Sequence, residues 1–315
     1  MSGQRAVSDA GFARRADPTG LEQAARSGGE GRRDGLLEQV AVVGAGTMGA
    51  GIAQVCATAG LQVLLIDVGI DQLKRGQDTI GTSLAKLEAK GSLARPAAEI
   101  SGRVRTSTDL EDVSRVGFVI EAVFEDLAVK SDLFKRLDQA AGPGTILASN
   151  TSSISITRLA SATKRPEKVV GLHFMNPVPL MGIVELIRGL ETSDETIAQA
   201  RALAEKVGKR TVESKDVPGF IANRVLMPMI NEAAFALAEG VASAEDIDTM
   251  MKGLNFPLGP LALADLIGLD VCLAVLEVLQ RDLGDPKYRP SPLLRQYVAA
   301  GRLGRKSGRG FHVYA

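Results

Sequence analysis

The chain has 315 residues, 37 basic and 37 acidic side chains, 45% apolar residues, two cysteines and two histidines, enough for one large or two ordinary domains with real cores. Zero formal charge leaves no basic footprint for nucleic acid or an anionic membrane surface. No stretch is long and apolar enough to span a membrane, and Cys56 and Cys272 make neither a disulfide framework nor a metal-ligand spacing, which favours a reducing cytoplasm and no metal.

Residues 1–38 are rich in Gly, Arg, Ser and acids and poor in large apolar side chains. Such a segment buries too little surface to offset its ordering entropy and is expected to be a disordered extension. It has no apolar h-region, and Asp9, Asp17, Glu22, Glu30 and Asp34 do not suit an acid-poor transit peptide.

Folded structure is predicted from Gln39. Residues 39–43, QVAVV, form a short β-branched strand that enters Gly44-Ala45-Gly46-Thr47-Met48-Gly49 and then a helix start of small residues. In this strand–turn–helix setting Gly44 permits the tight turn, Gly46 lets backbone approach a pyrophosphate, and Gly49 permits close helix–strand packing. A second strand over 61–66 ends in Asp67, the acidic position expected to hold an adenosine ribose 2′-OH. Asp67 would repel a 2′-phosphate, so NAD is the expected cofactor; Lys74 and Arg75 leave NADP as an alternative.

The alternation continues with a helix over 71–89, whose stripe is Leu73, Ile80, Leu84 and Leu87; Ser83 and Lys90 lie two turns apart beside it. Strands are predicted at 116–120 and 145–149, with a helix over 127–140 between them. Asn150-Thr151-Ser152-Ser153 follow a strand's carboxyl end, the ligand side of an open α/β sheet. Further strands at 169–174 and 183–187, a helix over 194–207 and a strand near 210–213 complete a domain of residues 39–216. The expected junction is DVPGF, 216–220.

Residues 217–315 read as a helical domain. A helix over 220–239 is expected to turn Ile221, Val225, Leu226, Ile230 and Phe235 inward. Ser243-Ala244-Glu245-Asp246 reads as a capping box. Residues 261–283 read as a helix so apolar that it must be buried, and a homodimer interface is the expected place for it. The basic, Gly-rich turn over 304–310 is expected to dock the tail.

His173 and Glu185 lie on the two strands at 169–174 and 183–187. Imidazole takes and returns a proton near neutral pH, and a carboxylate can hold one ring nitrogen and favour the charged form. Should those strands pair, His173 and Glu185 make a candidate acid/base dyad.

The motifs VVGAGTMGAGIAQ, EAVFEDLAVK, LASNTSSISIT, GLHFMNPVPLM, DVPGFIANRVLMP, GPLALADLIGLD and GRKSGRGF together resemble the 3-hydroxyacyl-CoA dehydrogenase family, most closely its bacterial short-chain members, the 3-hydroxybutyryl-CoA dehydrogenases. The resemblance implies a doubly wound Rossmann-type α/β domain followed by an all-helical domain for substrate and dimerisation. It implies NAD-dependent oxidation of L-(S)-3-hydroxyacyl-CoA in fatty-acid or butanoate metabolism. His173 then matches the catalytic histidine, Glu185 its orienting glutamate, Ser152 a serine near the substrate C3 oxygen, and Asn223 an asparagine that holds substrate. Gly44, Gly46, Gly49 and Asp67 fall to the adenosine half of the cofactor, and Thr47 and Met48 are further cofactor-binding positions. Glu125, Lys130, Asn150 and Asn176 fall around the nicotinamide ribose, and Ser83 and Lys90 at coenzyme A.

Gly182 and Phe256 depart from the family's usual pattern, which leaves acyl chain length open. Two other readings stand beside this one. The first is a related dehydrogenase for a carrier-protein-bound acyl group or a small free hydroxy acid. The second is a nucleotide-binding structural or regulatory protein without activity. SNTSS and GLHFMNP speak against the 6-phosphogluconate-type dehydrogenases, which begin with a similar fingerprint.

Overall fold

The computed structural model describes residues 38–314; the predicted N-terminal extension, apart from Glu38, lies outside them. β1 (Gln39–Val43), β2 (Gln62–Ile66), β3 (Val104–Ser107), β4 (Phe118–Glu121), β5 (Ile146–Ser149), β6 (Val169–Phe174), β7 (Ile183–Arg188) and β8 (Arg210–Lys215) form one eight-stranded sheet in the order β3-β2-β1-β4-β5-β6-β7-β8. Neighbours run parallel except β6 and β7, which pair antiparallel. β7 and β8 therefore oppose the direction of the other six strands.

Period-two alternation divides the core between two faces. Val40 and Val42 of β1 join the cluster containing Ile52, Leu65, Leu84 and Leu203. Ala41 and Val43 join Val119, Phe134, Leu137 and Leu159 on the other side. The first face is covered by α1 (Thr47–Thr58), α2 (Ile70–Ala89), α3 (Ala97–Ser101) and α6 (Asp194–Lys206). The second is covered by α4 (Leu127–Ala140) and α5 (Ile156–Ala160). A sheet covered on both faces explains why its central strands read as unbroken apolar runs. Fully burying a side chain such as Phe134, 0% exposed, contributes about 1.5–3 kcal/mol.

After β8 the regular structure is helical: α7 (Ala222–Ala238), α8 (Ala244–Gly253), α9 (Pro260–Ile267), α10 (Leu269–Leu283) and α11 (Pro292–Ala299). Ser243 caps α8, its hydroxyl accepting the Asp246 N–H at 3.1 Å. Two expectations are corrected here. Ile221 and Val225 are 44% and 68% exposed, not inward. Met227, Ile230, Asn231, Ala233 and Ala234 make the buried face of α7, and Val225, two residues before Met227, points about 200° away from it. The apolar run 261–283 is not one helix. Gly268, at φ +108, separates α9 from α10, and Leu261, Ala264, Leu269, Cys272, Leu276 and Leu279 fill this region's own cores.

The tail does dock. Asp265, 1% exposed, accepts the N–H groups of Phe311 and His312 at 2.9 Å each and the Tyr314 hydroxyl at 2.9 Å. His312 Nε2 meets Asp248 Oδ2 at 2.8 Å. Asp248 also receives the Leu261 and Ala262 N–H groups at the start of α9. Among the described residues no helix is long and apolar enough to cross a membrane.

Candidate active site

β1, β2, β4, β5 and β6 are parallel, so the residues just past their carboxyl ends share one edge of the sheet, and the strand order reverses between β1 and β4. Open α/β sheets bind ligands at that switch point. A cavity of about 980 Å³ lies there, lined by Gly44, Gly46, Thr47, Met48 and Asp67 and walled by Ala122, Val123, Phe124 and Val129.

The three glycines of the fingerprint meet different demands. Gly44 has φ +104, and a Cβ there would lie 2.6 Å from the Ala122 carbonyl oxygen. A Cβ on Gly49 would lie 1.7 Å from the Gly44 carbonyl oxygen, so helix and strand approach at backbone distance. Gly46 has nothing within 4 Å of its Cβ position. It caps α1 without a side-chain bond, and no acidic residue occupies the first turn of that helix. The positive end of the helix dipole therefore faces open space. Asp67 braces the loop: Oδ2 accepts the Ala45 N–H at 2.8 Å and Oδ1 the Gly69 N–H at 3.2 Å. A bare backbone, an uncapped helix start and an acidic residue at the second strand's end fit a dinucleotide.

His173 and Glu185 are direct register partners across β6 and β7. His173 Nδ1 lies 3.2 Å from Glu185 Oε2, and the residues are 8% and 1% exposed. A carboxylate accepts only from a protonated nitrogen, so the neutral ring carries its proton on Nδ1 and offers a lone pair at Nε2. Glu185 Oε1 accepts the Ile221 N–H where α7 begins. Gly219 and Phe220, at φ +80 and +50, swing the chain so that this amide points at the carboxylate. The Phe220 ring meets the His173 ring edge-on at 6.2 Å.

A second network holds the loop after β5. Glu125 Oε1 accepts the Thr151 hydroxyl at 2.6 Å, the Ser152 N–H at 2.8 Å and hydroxyl at 3.1 Å, and the Ser153 N–H at 3.1 Å. Its Oε2 lies 3.3 Å from Lys130 Nζ. Burial alone would raise Glu125, but the Lys130 ammonium, the Thr151 hydroxyl and the Ser152 N–H outweigh it and hold the carboxyl below its ordinary range. Lys130 is 1% exposed and donates to Glu121 Oε1 at 2.5 Å. Glu121 also receives the Val123 N–H at 2.7 Å and, through Oε2, the Ser149 hydroxyl at 2.6 Å. Asn223 donates its amide to the Ser152 carbonyl at 2.9 Å, and Asn150 Oδ1 accepts the Phe174 N–H at 2.9 Å.

Hydrogen bonds thus join the segments carrying Ser152, His173, Glu185, Asn223, Glu125, Lys130 and Asn150, while Gly44–Gly49 and Asp67 stand together at the cavity. Asn176 lies exposed on the β6–β7 connection, at a cis Asn176–Pro177 bond. Ser83 is half-buried on α2, and Lys90 is exposed just past the last turn of that helix. Gly182 is exposed with open space at its Cβ position, and Phe256 is 41% exposed. Sequence reasoning missed Glu121; its signal was a carboxylate closing a wholly apolar strand. The Ile221 N–H left no signal, since any residue carries one.

The family profile for the 3-hydroxyacyl-CoA dehydrogenase NAD-binding domain matches residues 39–217, and that for the C-terminal domain matches residues 219–314. A probable 3-hydroxybutyryl-CoA dehydrogenase of Bacillus subtilis (strain 168) is 53% identical over 280 residues, 88% of this chain and 98% of that protein. The mitochondrial hydroxyacyl-coenzyme A dehydrogenase of Sus scrofa is 43% identical over 288 residues, 89% of this chain and 92% of that protein. The crystal structure of (S)-3-hydroxybutyryl-CoA dehydrogenase from Ralstonia eutropha superposes with a TM-score of 0.85 at 51% identity, covering 88% of this chain and 99% of that one. A Rossmann-type sheet with its glycine loop, a helical region behind it and these matches across both place the chain in the 3-hydroxyacyl-CoA dehydrogenase family, NAD-dependent oxidoreductases acting on CH–OH groups.

Proposed function

We propose that the chain catalyses reversible oxidation of L-(S)-3-hydroxybutyryl-CoA to acetoacetyl-CoA with NAD. The observation that carries this reading is the His173–Glu185 pair, held in register at the ligand edge of the sheet. NAD, when bound, supplies the acceptor for the hydride that leaves C3. Gly44, Gly46, Gly49 and Asp67 would hold its adenosine half, with Thr47 and Met48 beside them, and Glu125, Lys130, Asn150 and Asn176 would surround its nicotinamide ribose.

His173 accepts the C3 hydroxyl proton at Nε2. Glu185 keeps the ring oriented and balances the charge that the proton brings. Ser152 and Asn223 bind substrate oxygens and fix the reacting geometry, which contributes several kcal/mol to lowering the barrier. In this structure both have partners that substrate would share or displace, Glu125 for the Ser152 hydroxyl and the Ser152 carbonyl for Asn223. Ser83 and Lys90 meet the coenzyme A portion, where an exposed ammonium suits phosphate oxygens.

A homodimer through the helical region is part of the proposal, supported by the exposed apolar side chains of Val225, Met250 and Leu254. A cytoplasmic location is also part of it, supported by the buried free thiols of Cys56 and Cys272.

The test is NADH consumption with acetoacetyl-CoA by wild type and His173→Gln. The reading expects rapid oxidation by wild type and a loss of about two orders of magnitude or more in the variant, with NADH binding retained. Near-normal turnover in the variant removes His173 from the chemistry. A wild type that binds NADH without turnover removes the substrate.

A further inference from the structure

The eight residues 175–182 connect β6 to β7, and therefore His173 to Glu185. Pro177 and Pro179 remove two backbone donors from this connection. The Pro177 carbonyl accepts the N–H groups of Leu180 and Met181 at 3.0 Å each. The Val178 and Met181 carbonyls are met from outside, by Lys209. Its Nζ donates to Val178 O at 2.7 Å and to Met181 O at 2.8 Å.

Lys209 is aimed there by the end of α6. Gly208, at φ +76, reverses the chain, and the Lys209 N–H closes the helix on the Ala204 carbonyl at 2.9 Å. The side chain is 7% exposed, and burial pushes its ammonium below its ordinary value. The next residue completes the grip, with the Arg210 N–H donating to Gly182 O at 2.9 Å. From the opposite side Val178, 2% exposed, rests on α1, where a Cβ added to Gly51 would lie 2.9 Å from the Val178 Cβ. The connection is therefore wedged between Lys209 and the helix whose start lines the cofactor cavity.

Resting on the dehydrogenase reading above, we propose that Lys209 is a positioning residue for hydride transfer: by holding the Val178 and Met181 carbonyls it fixes the β6–β7 connection against α1, and so sets Asn176 and His173 relative to the cofactor site. It touches neither substrate nor cofactor. Its effect falls on the spacing between the proton acceptor and the nicotinamide end, to which a transfer step is steeply sensitive.

The experiment compares wild type and Lys209→Met by steady-state kinetics with acetoacetyl-CoA, NADH titration by fluorescence, and amide hydrogen exchange. The expected result is a fall in kcat of about ten- to a hundredfold, as an ångström of misplacement brings. Exchange at Leu180 and Met181 should quicken, while the NADH dissociation constant and the helical circular dichroism stay near wild type. A folded Lys209→Met with undiminished kcat overturns the assignment, as does a kcat loss with unchanged exchange at those two amides. Should that variant fail to fold, Gly51→Ala presses Val178 from the other side, and a folded Gly51→Ala with undiminished kcat overturns it equally. An active wild type beside an active Lys209→Met refutes the role of Lys209 alone. A wild type that binds NADH without turnover refutes the dehydrogenase reading and, with it, this one.

Discussion

Gly46→Ala separates a glycine kept for a ligand from one kept for the fold. Gly46 has φ −70 and ψ −173, a conformation open to any L-residue, and its Cβ position has no atom within 4 Å. Replacing glycine at such a site gains about 0.4–1 kcal/mol through the unfolded chain, and alanine's poorer performance at a helix N-cap offsets some tenths of that. Net stability should therefore move by less than about 1 kcal/mol. In the proposed binding mode a methyl in that space would displace a phosphate from the backbone N–H groups of α1. Losing one hydrogen bond to a charged group costs about 1.5–3 kcal/mol, roughly a 10- to 150-fold weaker affinity for NADH. Gly49→Ala is the opposite control, because its Cβ would sit 1.7 Å from the Gly44 carbonyl oxygen. The backbone must shift, at or beyond the upper end of the roughly 1–3 kcal/mol usual for overpacking. Thermal denaturation and NADH fluorescence titration read both quantities. Gly46→Ala binding NADH within about threefold of wild type, or unfolding as readily as Gly49→Ala, would refute the reasoning.

Glu185→Gln keeps the shape of the side chain but replaces one acceptor oxygen with a donor, set against either the His173 Nδ1–H or the Ile221 N–H. A lost hydrogen bond to a charged group of about 1.5–3 kcal/mol corresponds to a kcat roughly 10- to 150-fold lower; a change under about threefold in steady-state assays would count against the pair. Lys130→Met leaves Glu121, 0% exposed, without its cation and should cost about 3–5 kcal/mol in urea denaturation. Because Glu125 titrates below its ordinary 4.5 in the folded protein, its stabilising contribution is present above that value and lost as pH falls through the folded one. The deficit of Lys130→Met should therefore shrink in acid, and a constant deficit would speak against the network. Burial pushes the Cys56 and Cys272 thiols from 9.0 up to about 12. Folded protein should resist alkylation near about pH 8, where accessible thiols react readily, and label at both positions in denaturant. The stability that these protonated thiols contribute holds below pH 9 and fades as pH rises toward about 12; labelling of folded protein at the denatured rate would contradict their burial.

What the sequence made legible was what periodicity and local chemistry encode. The glycine loop, the strand before it and Asp67 all act within a short stretch of chain, and helix α4 covers the expected residues 127–140. Strand β3 was not anticipated, because Val104 is its one buried residue and Arg105 and Thr106 are exposed; an edge strand carries little alternation. The inward assignment of Val225 failed because Met227 and Ile230 set the buried face of that helix, and they lie about 200° and 140° around the axis from Val225. The bond from the Lys130 ammonium to Glu121 is a tertiary pairing that no spacing announces. The Asn223 bond to the Ser152 carbonyl and the Lys209 bonds to the β6–β7 connection likewise join segments whose meeting depends on the whole sheet.

The clamp on Asp265 bears on how the chain is made. Its three donors lie 46 to 49 residues further along. As the protein leaves the ribosome, the sheet strands are all synthesised before α9 exists, and domains fold as units in that order. The helical region is different: the buried Asp265 carboxylate meets these three donors only once residues 311–314 have emerged. Its final packing must therefore wait for those residues, and until then the apolar faces of α9 and α10 need shelter on the nascent chain.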